Sequence, residues 1–87
     1  MHEQSLMRDL VAYLEATARA EGATRVASVA VRLGALSHFT PEHFREHFED
    51  ATRGTVADGA IVTAVAEDDI SSPRAADVVV TEVEVEV

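Results

Sequence analysis

Residues 78–87, VVVTEVEVEV, admit few folds. Val79, Val83, Val85 and Val87 fall on one side of an extended chain, and Glu82, Glu84 and Glu86 on the other. Side chains of a strand point alternately to its two faces. The pattern therefore specifies a strand with one buried and one wetted face, and β-branched valine suits that pleated surface. Such a strand needs a sheet beside it and apolar side chains covering its valine side.

Both are legible upstream. In "TRVASVAVRLGAL" Ala27, Val29, Val31 and Leu33 face one way, Ser28 and Arg32 the other, and Gly34 ends or bends the strand. "GAIVTAVAE" is a mostly apolar strand. Residues 5–21 carry a helical stripe of Leu6, Leu10, Leu14 and Thr17/Ala18, with Ser5 as its expected cap and Gly22 as its stop. "SHFTPEHFREHFEDATRG" gives a second helix: Thr40 at the N-cap, Pro41 at the first helical position, Glu42 in the first turn and Gly54 closing it. Phe44 and Phe48, four apart, share its inner face. "DDISSPRAAD", residues 68–77, reads as a loop.

The order is helix, strand, helix, strand, strand. A strand–helix–strand unit crosses over right-handed and gives a parallel pair. The short loop before the last strand makes antiparallel pairing of the last two strands natural. The expected fold is α+β: a three-stranded mixed sheet with two helices on one face. Its core should contain Leu10, Leu14, Val29, Val31, Phe44, Phe48 and Val83.

Composition narrows what such a domain can do. The chain has 87 residues, enough for one small domain, and a formal charge of −9. An acidic surface is unsuited to nucleic acid and repels anionic membranes, while favouring cations and basic partners. No apolar run approaches the roughly 20 residues of a membrane span. "MHEQSLMRDL" has neither a basic leader nor an unbroken apolar stretch, so a cytoplasmic location is expected. The chain contains no cysteine, which excludes disulfides, thiolate zinc sites and cysteine nucleophiles. There is no nucleophile–base pair and no glycine-rich phosphate loop. The chain reads as a binding protein and not an enzyme.

Histidine marks the candidate chemistry. In "MHEQSL" the α-amine of Met1, the main-chain amide of His2 and the His2 imidazole can close fused rings around one small metal ion. The same pair also fits an ordinary, tolerant terminus. His38 lies in the loop after the first strand. His43 and His47 stand four apart on one face of the second helix, a spacing found in zinc sites. No third ligand is evident from spacing, although Glu46 and Asp50 are nearby, and a solvated or partner-facing pair is the simpler reading.

Taken together, "MHEQSL", "RVASVAVRLGALS", "PEHFREHFEDATRGT", "DGAIVTAV" and "VTEVEVEV" resemble, in order and spacing, the HypA/HybF nickel metallochaperones of hydrogenase maturation. The opening resembles that family's MHE-x-S-[LM] motif. The resemblance implies a nickel site on Met1, His2 and Glu3: the α-amine, the His2 imidazole and main-chain nitrogen from His2 or Glu3. His38 is a possible fourth ligand. A planar set of nitrogen ligands suits Ni(II) or Cu(II). Ligand protons must leave first, so binding should strengthen as pH rises through the imidazole and amine range, about 6.5 to 8.

The family usually inserts a zinc module, with two CxxC pairs, between the second strand and the last. Here that place holds only loop 68–77, so residues 1–87 correspond to a single nickel-binding domain and no zinc is expected. By the resemblance, the partners are a HypB-like maturation GTPase and the large subunit of a [NiFe] hydrogenase. An unpaired edge on the last strand could also support a weak homodimer. The alternative is a HypA-like interaction or regulatory module that has lost metal delivery.

Overall fold

The computed structural model describes residues 3–87. Its elements are α1 (Glu3–Ala20), β1 (Arg25–Leu33), α2 (Pro41–Thr52), β2 (Ile61–Ala66) and β3 (Val78–Glu86). The strands form one mixed sheet in the order β2-β1-β3. β1 pairs parallel with β2, placing Val29 opposite Val62 and Val31 opposite Ala64. It pairs antiparallel with β3, placing Val29 opposite Val83. The expected α+β class, element order and mixed sheet are all present.

Local chemistry explains the boundaries. α1 turns inward Met7, Leu10, Leu14 and Ala18, a stripe with helical spacing. Ser5 lies inside this helix and does not cap it, because the helix already includes Glu3 and Gln4. Gly22, at φ +64, ends it as expected, and the Ala23 amide donates back to the Ala18 carbonyl at 2.8 Å. α2 starts where the sequence places it. Thr40 sits in extended backbone and its hydroxyl accepts from the His43 amide at 3.1 Å, with Pro41 following.

One core joins these elements. Leu14, Val26, Val29, Val31, Leu33, Phe44 and Phe48 are each at most 1% exposed. The Phe44 and Phe48 rings lie 6.1 Å apart, and half-buried Phe39 meets Phe44 edge-on at 5.6 Å. The sole buried polar side chain among the described residues is Thr52, whose hydroxyl donates to the Phe48 carbonyl at 2.7 Å.

Three expectations about the sheet need correction. First, β2 and β3 are not a hairpin: β3 lies on the other side of β1. The intervening segment passes over the end of β1. The Glu67 amide donates to the Leu33 carbonyl and the Gly34 amide donates to the Asp77 carbonyl, each at 2.8 Å. Two strand spacings amount to only about 10 Å, which a ten-residue loop easily covers.

Second, Val26 and not Ala27 shares the buried face with Val29. The β1–β3 register shifts between Val26 and Ser28, so Ala27 is an extra residue that reverses the alternation. Third, a matching shift on β3 makes Thr81 the extra residue there. Val78 and Val80 therefore join Val83 and Val85 against the core, and Val79 does not. Val83 is half-buried and Val87, outside the strand, is exposed.

Candidate metal centre

α1 and α2 pack against each other over the sheet, and their contact fixes the polar surface above Phe44 and Phe48. Glu3 stands in the first turn of α1. His43 and His47 lie one turn apart on α2, so their imidazoles project from the same face. The His43 and His47 Nε2 atoms are 2.7 Å apart. Glu3 closes the triangle. One carboxylate oxygen, Oε2, is 2.9 Å from His47 Nε2, and the other, Oε1, is 3.5 Å from His43 Nε2.

All three side chains are part exposed, between 38% and 42%. The Phe39 ring flanks them, its centroid 5.5 Å from that of His43 and 6.4 Å from that of His47. Beside them a groove of about 680 Å³ runs between the helices, bordered by Met7, Arg8, Val11, His47 and Asp50.

Met1 and His2, the core of the expected nickel ligand set, lie outside the described residues. Glu3, the third member, is described, and its carboxylate faces α2. His38 is exposed and adopts φ 68, in the left-handed region that few residues other than glycine enter. It is not part of the Glu3–His43–His47 group. Thr40 is the helix cap. Glu46 and Asp50, the sequence neighbours that might have completed the histidine pair, are exposed and do not join it. The residue that does join is 40 positions upstream of His43. No i, i+4 rule could reveal a contact made by packing two helices.

A different construction holds loop 68–77. Asp69 accepts from the Ser71 hydroxyl at 2.7 Å and the Ser71 amide at 3.0 Å. Those two bonds, the hydroxyl first, hold its carboxyl below the usual range. Ser72 accepts from the Arg74 amide at 3.1 Å, and Ala75 is buried. The loop docks on Gly34, where a Cβ would overlap the Ala75 carbonyl oxygen. Two capped turns and a backbone contact make this segment a fitted part of the fold.

Comparison with known proteins gives the fold and the histidine-bearing helix pair a context. A family model described as "Hydrogenase/urease nickel incorporation, metallochaperone, hypA" matches residues 1–71. That description names a class of nickel-incorporation metallochaperones, and the chain belongs to the HypA family. The hydrogenase maturation factor HypA of Methylocella silvestris is 47% identical over 60 residues, which cover 69% of this chain and 53% of that protein. HypA of Dechloromonas aromatica is 41% identical over 66 residues, covering 76% of this chain and 58% of that protein. The chain spans about half the length of the curated relatives it matches. The solution structure of the Ni metallochaperone HypA from Helicobacter pylori superposes with a TM-score of 0.80 at 21% identity, covering 99% of this chain and 98% of that one. At that identity the likeness establishes the fold.

Proposed function

We propose that this domain is a nickel-binding accessory protein for maturation of a [NiFe] hydrogenase, with Ni(II) as its cargo. The observation that carries the reading is the family match over residues 1–71, which includes the MHE opening. Met1 supplies its α-amine, His2 its imidazole, and His2 or Glu3 a main-chain nitrogen. The donor chemistry fits the cargo, since an all-nitrogen, planar set is one that Ni(II) accepts. Glu3, the third residue of the proposed set, lies in the first turn of α1, which packs on α2.

Residues 1–87 act as one nickel-binding domain, and loop 68–77 stands where longer relatives carry a zinc module. The relatives' greater length, the absence of cysteine and the fitted seat of the loop on Gly34 support this. No helix among the described residues is long and apolar enough to cross a membrane. The partners proposed are a HypB-like GTPase and the hydrogenase large subunit.

A nickel titration of the protein with a free amino terminus tests the reading. One Ni(II) per chain should bind, with the diamagnetic spectrum of a planar site. His2→Ala and an added N-terminal glycine should each abolish that signal, whereas His43→Ala and His47→Ala should leave it. A His2→Ala protein that keeps the planar nickel spectrum would overturn the assignment and leave the interaction-module reading in its place.

A further inference from the structure

We propose that Glu3, His43 and His47 form a second divalent-metal site, distinct from the amino-terminal nitrogen set and suited above all to Zn(II). The inference stands on the helix-pair geometry and does not depend on nickel binding at Met1 and His2.

The distances carry it first. Zinc binds imidazole nitrogen and carboxylate oxygen at about 2.0–2.2 Å. Two such donors on one ion, at octahedral to tetrahedral angles, stand about 2.9–3.4 Å apart. The two imidazole nitrogens are 2.7 Å apart, Glu3 Oε2 is 2.9 Å from His47 Nε2 and Glu3 Oε1 is 3.5 Å from His43 Nε2, and one donor atom from each of the three residues lies within 4.8 Å of the others. These spacings bracket the range that one ion requires.

Hydrogen-bond chemistry carries it second. A ring nitrogen offers either one N–H or one lone pair, and an ionised carboxylate only accepts. His47 Nε2 faces both Glu3 Oε2 and His43 Nε2. As a donor to Glu3 it has no lone pair for His43. As an acceptor from His43 it has no proton for Glu3. A single N–H could serve both only as a weaker three-centre bond, whereas one cation accepts a lone pair from each corner.

The surroundings match an exchangeable site. Two histidines one helical turn apart with a carboxylate from another element make three protein ligands, which leaves a further position for water or an incoming group. Partial exposure gives an ion access. Phe39 packs beside both imidazoles and restricts their rotation. Glu3 would then serve two sites, through its side chain here and through its main chain at the amino-terminal set.

The test silences the amino-terminal site and titrates the other. A protein extended by Gly-Ser at its amino terminus, with its metal removed, is titrated with Zn(II) by calorimetry. One ion per chain should bind saturably. Glu3→Gln and the His43→Gln/His47→Gln pair should each weaken it by more than the about 10–100-fold that loss of an outer-shell partner costs. Circular dichroism should show an unchanged fold in all variants. Nitrogen-15 spectra of the histidine side chains should show Zn(II) shifting His43 and His47 Nε2 and leaving His38 unmoved. Should the double variant prove unfolded, Glu3→Gln alone with the side-chain spectra decides. Absence of saturable binding in the extended protein, or binding insensitive to these substitutions, would overturn the site. Neither result bears on the planar nickel signal of the free-terminus protein.

Discussion

The surface shared by α1 and α2 and the junction of β1 with loop 68–77 hold their parts by opposite means. On the helices, Glu3, His43 and His47 meet only through side-chain atoms, and those side chains are 38–42% exposed. At the junction, main chain meets main chain: Gly34 lies against the Arg74 and Ala75 carbonyls, and the Leu36 amide donates to the Ala75 carbonyl at 2.6 Å. A loosely held polar triangle suits ligand exchange. A backbone seat suits a scaffold, because no rotamer change can relieve a misfit there. The same small domain thus separates the place where chemistry can change hands from the place where shape is fixed.

Substitutions can break that contrast, starting beneath the helical surface. Phe48 is fully buried under the histidine face, so Phe48→Ala should cost about 3–5 kcal/mol, enough to unfold a small domain. Chemical denaturation of this variant with an unchanged midpoint would mean that the helix pair has no firm base. Gly34→Ala comes next. Its methyl group would overlap the Ala75 carbonyl, so the loop must shift, with an expected loss of about 1–3 kcal/mol and faster hydrogen exchange confined to residues 68–77.

Smaller effects sharpen the comparison. Thr40→Ala removes the α2 cap and should cost about 1 kcal/mol, read as a lowered midpoint with a native spectrum. Glu3→Gln should change stability by no more than about 0.5 kcal/mol, since it alters an exposed side chain. If thermal denaturation showed Glu3→Gln to be as damaging as Gly34→Ala, the helical triangle would be structural support and not a site.

Much of this was legible in the sequence, and the failures share a cause. The caps Thr40 and Gly22 and the phenylalanine pair are local patterns and stand where the sequence puts them, and the α1 stripe keeps Leu10, Leu14 and Ala18 but buries Met7 in place of the expected Leu6. The faces of β1 and β3 were misjudged because alternation reverses at a bulge, and bulges are properties of a strand pair. Only a partial trace existed: valine fills 78, 79 and 80 alike, and strict alternation begins only after Thr81, at 83, 85 and 87. The pairing of β3 with β1, and the approach of Glu3 to His43 and His47, depend on which elements become neighbours. No window of a dozen residues contains that information. The proposed amino-terminal set on Met1 and His2 was read from the chelating chemistry of amine, amide and imidazole in succession, together with the family motif.

The pairing of β3 with β1 also orders events in time. The Thr24 hydroxyl and amide both donate to the Glu86 carbonyl, at 3.3 and 2.8 Å, across 62 residues of chain. On the ribosome, α1, β1, α2 and β2 emerge first and can already assemble the parallel pair beneath the helices. One side of β1 then waits, its amides and carbonyls unmatched, until the final strand leaves the exit tunnel and closes the longest loop in the fold. Closing distant contacts is slow compared with forming helices. The helix pair that brings Glu3, His43 and His47 together can therefore pack before the sheet beneath it is complete.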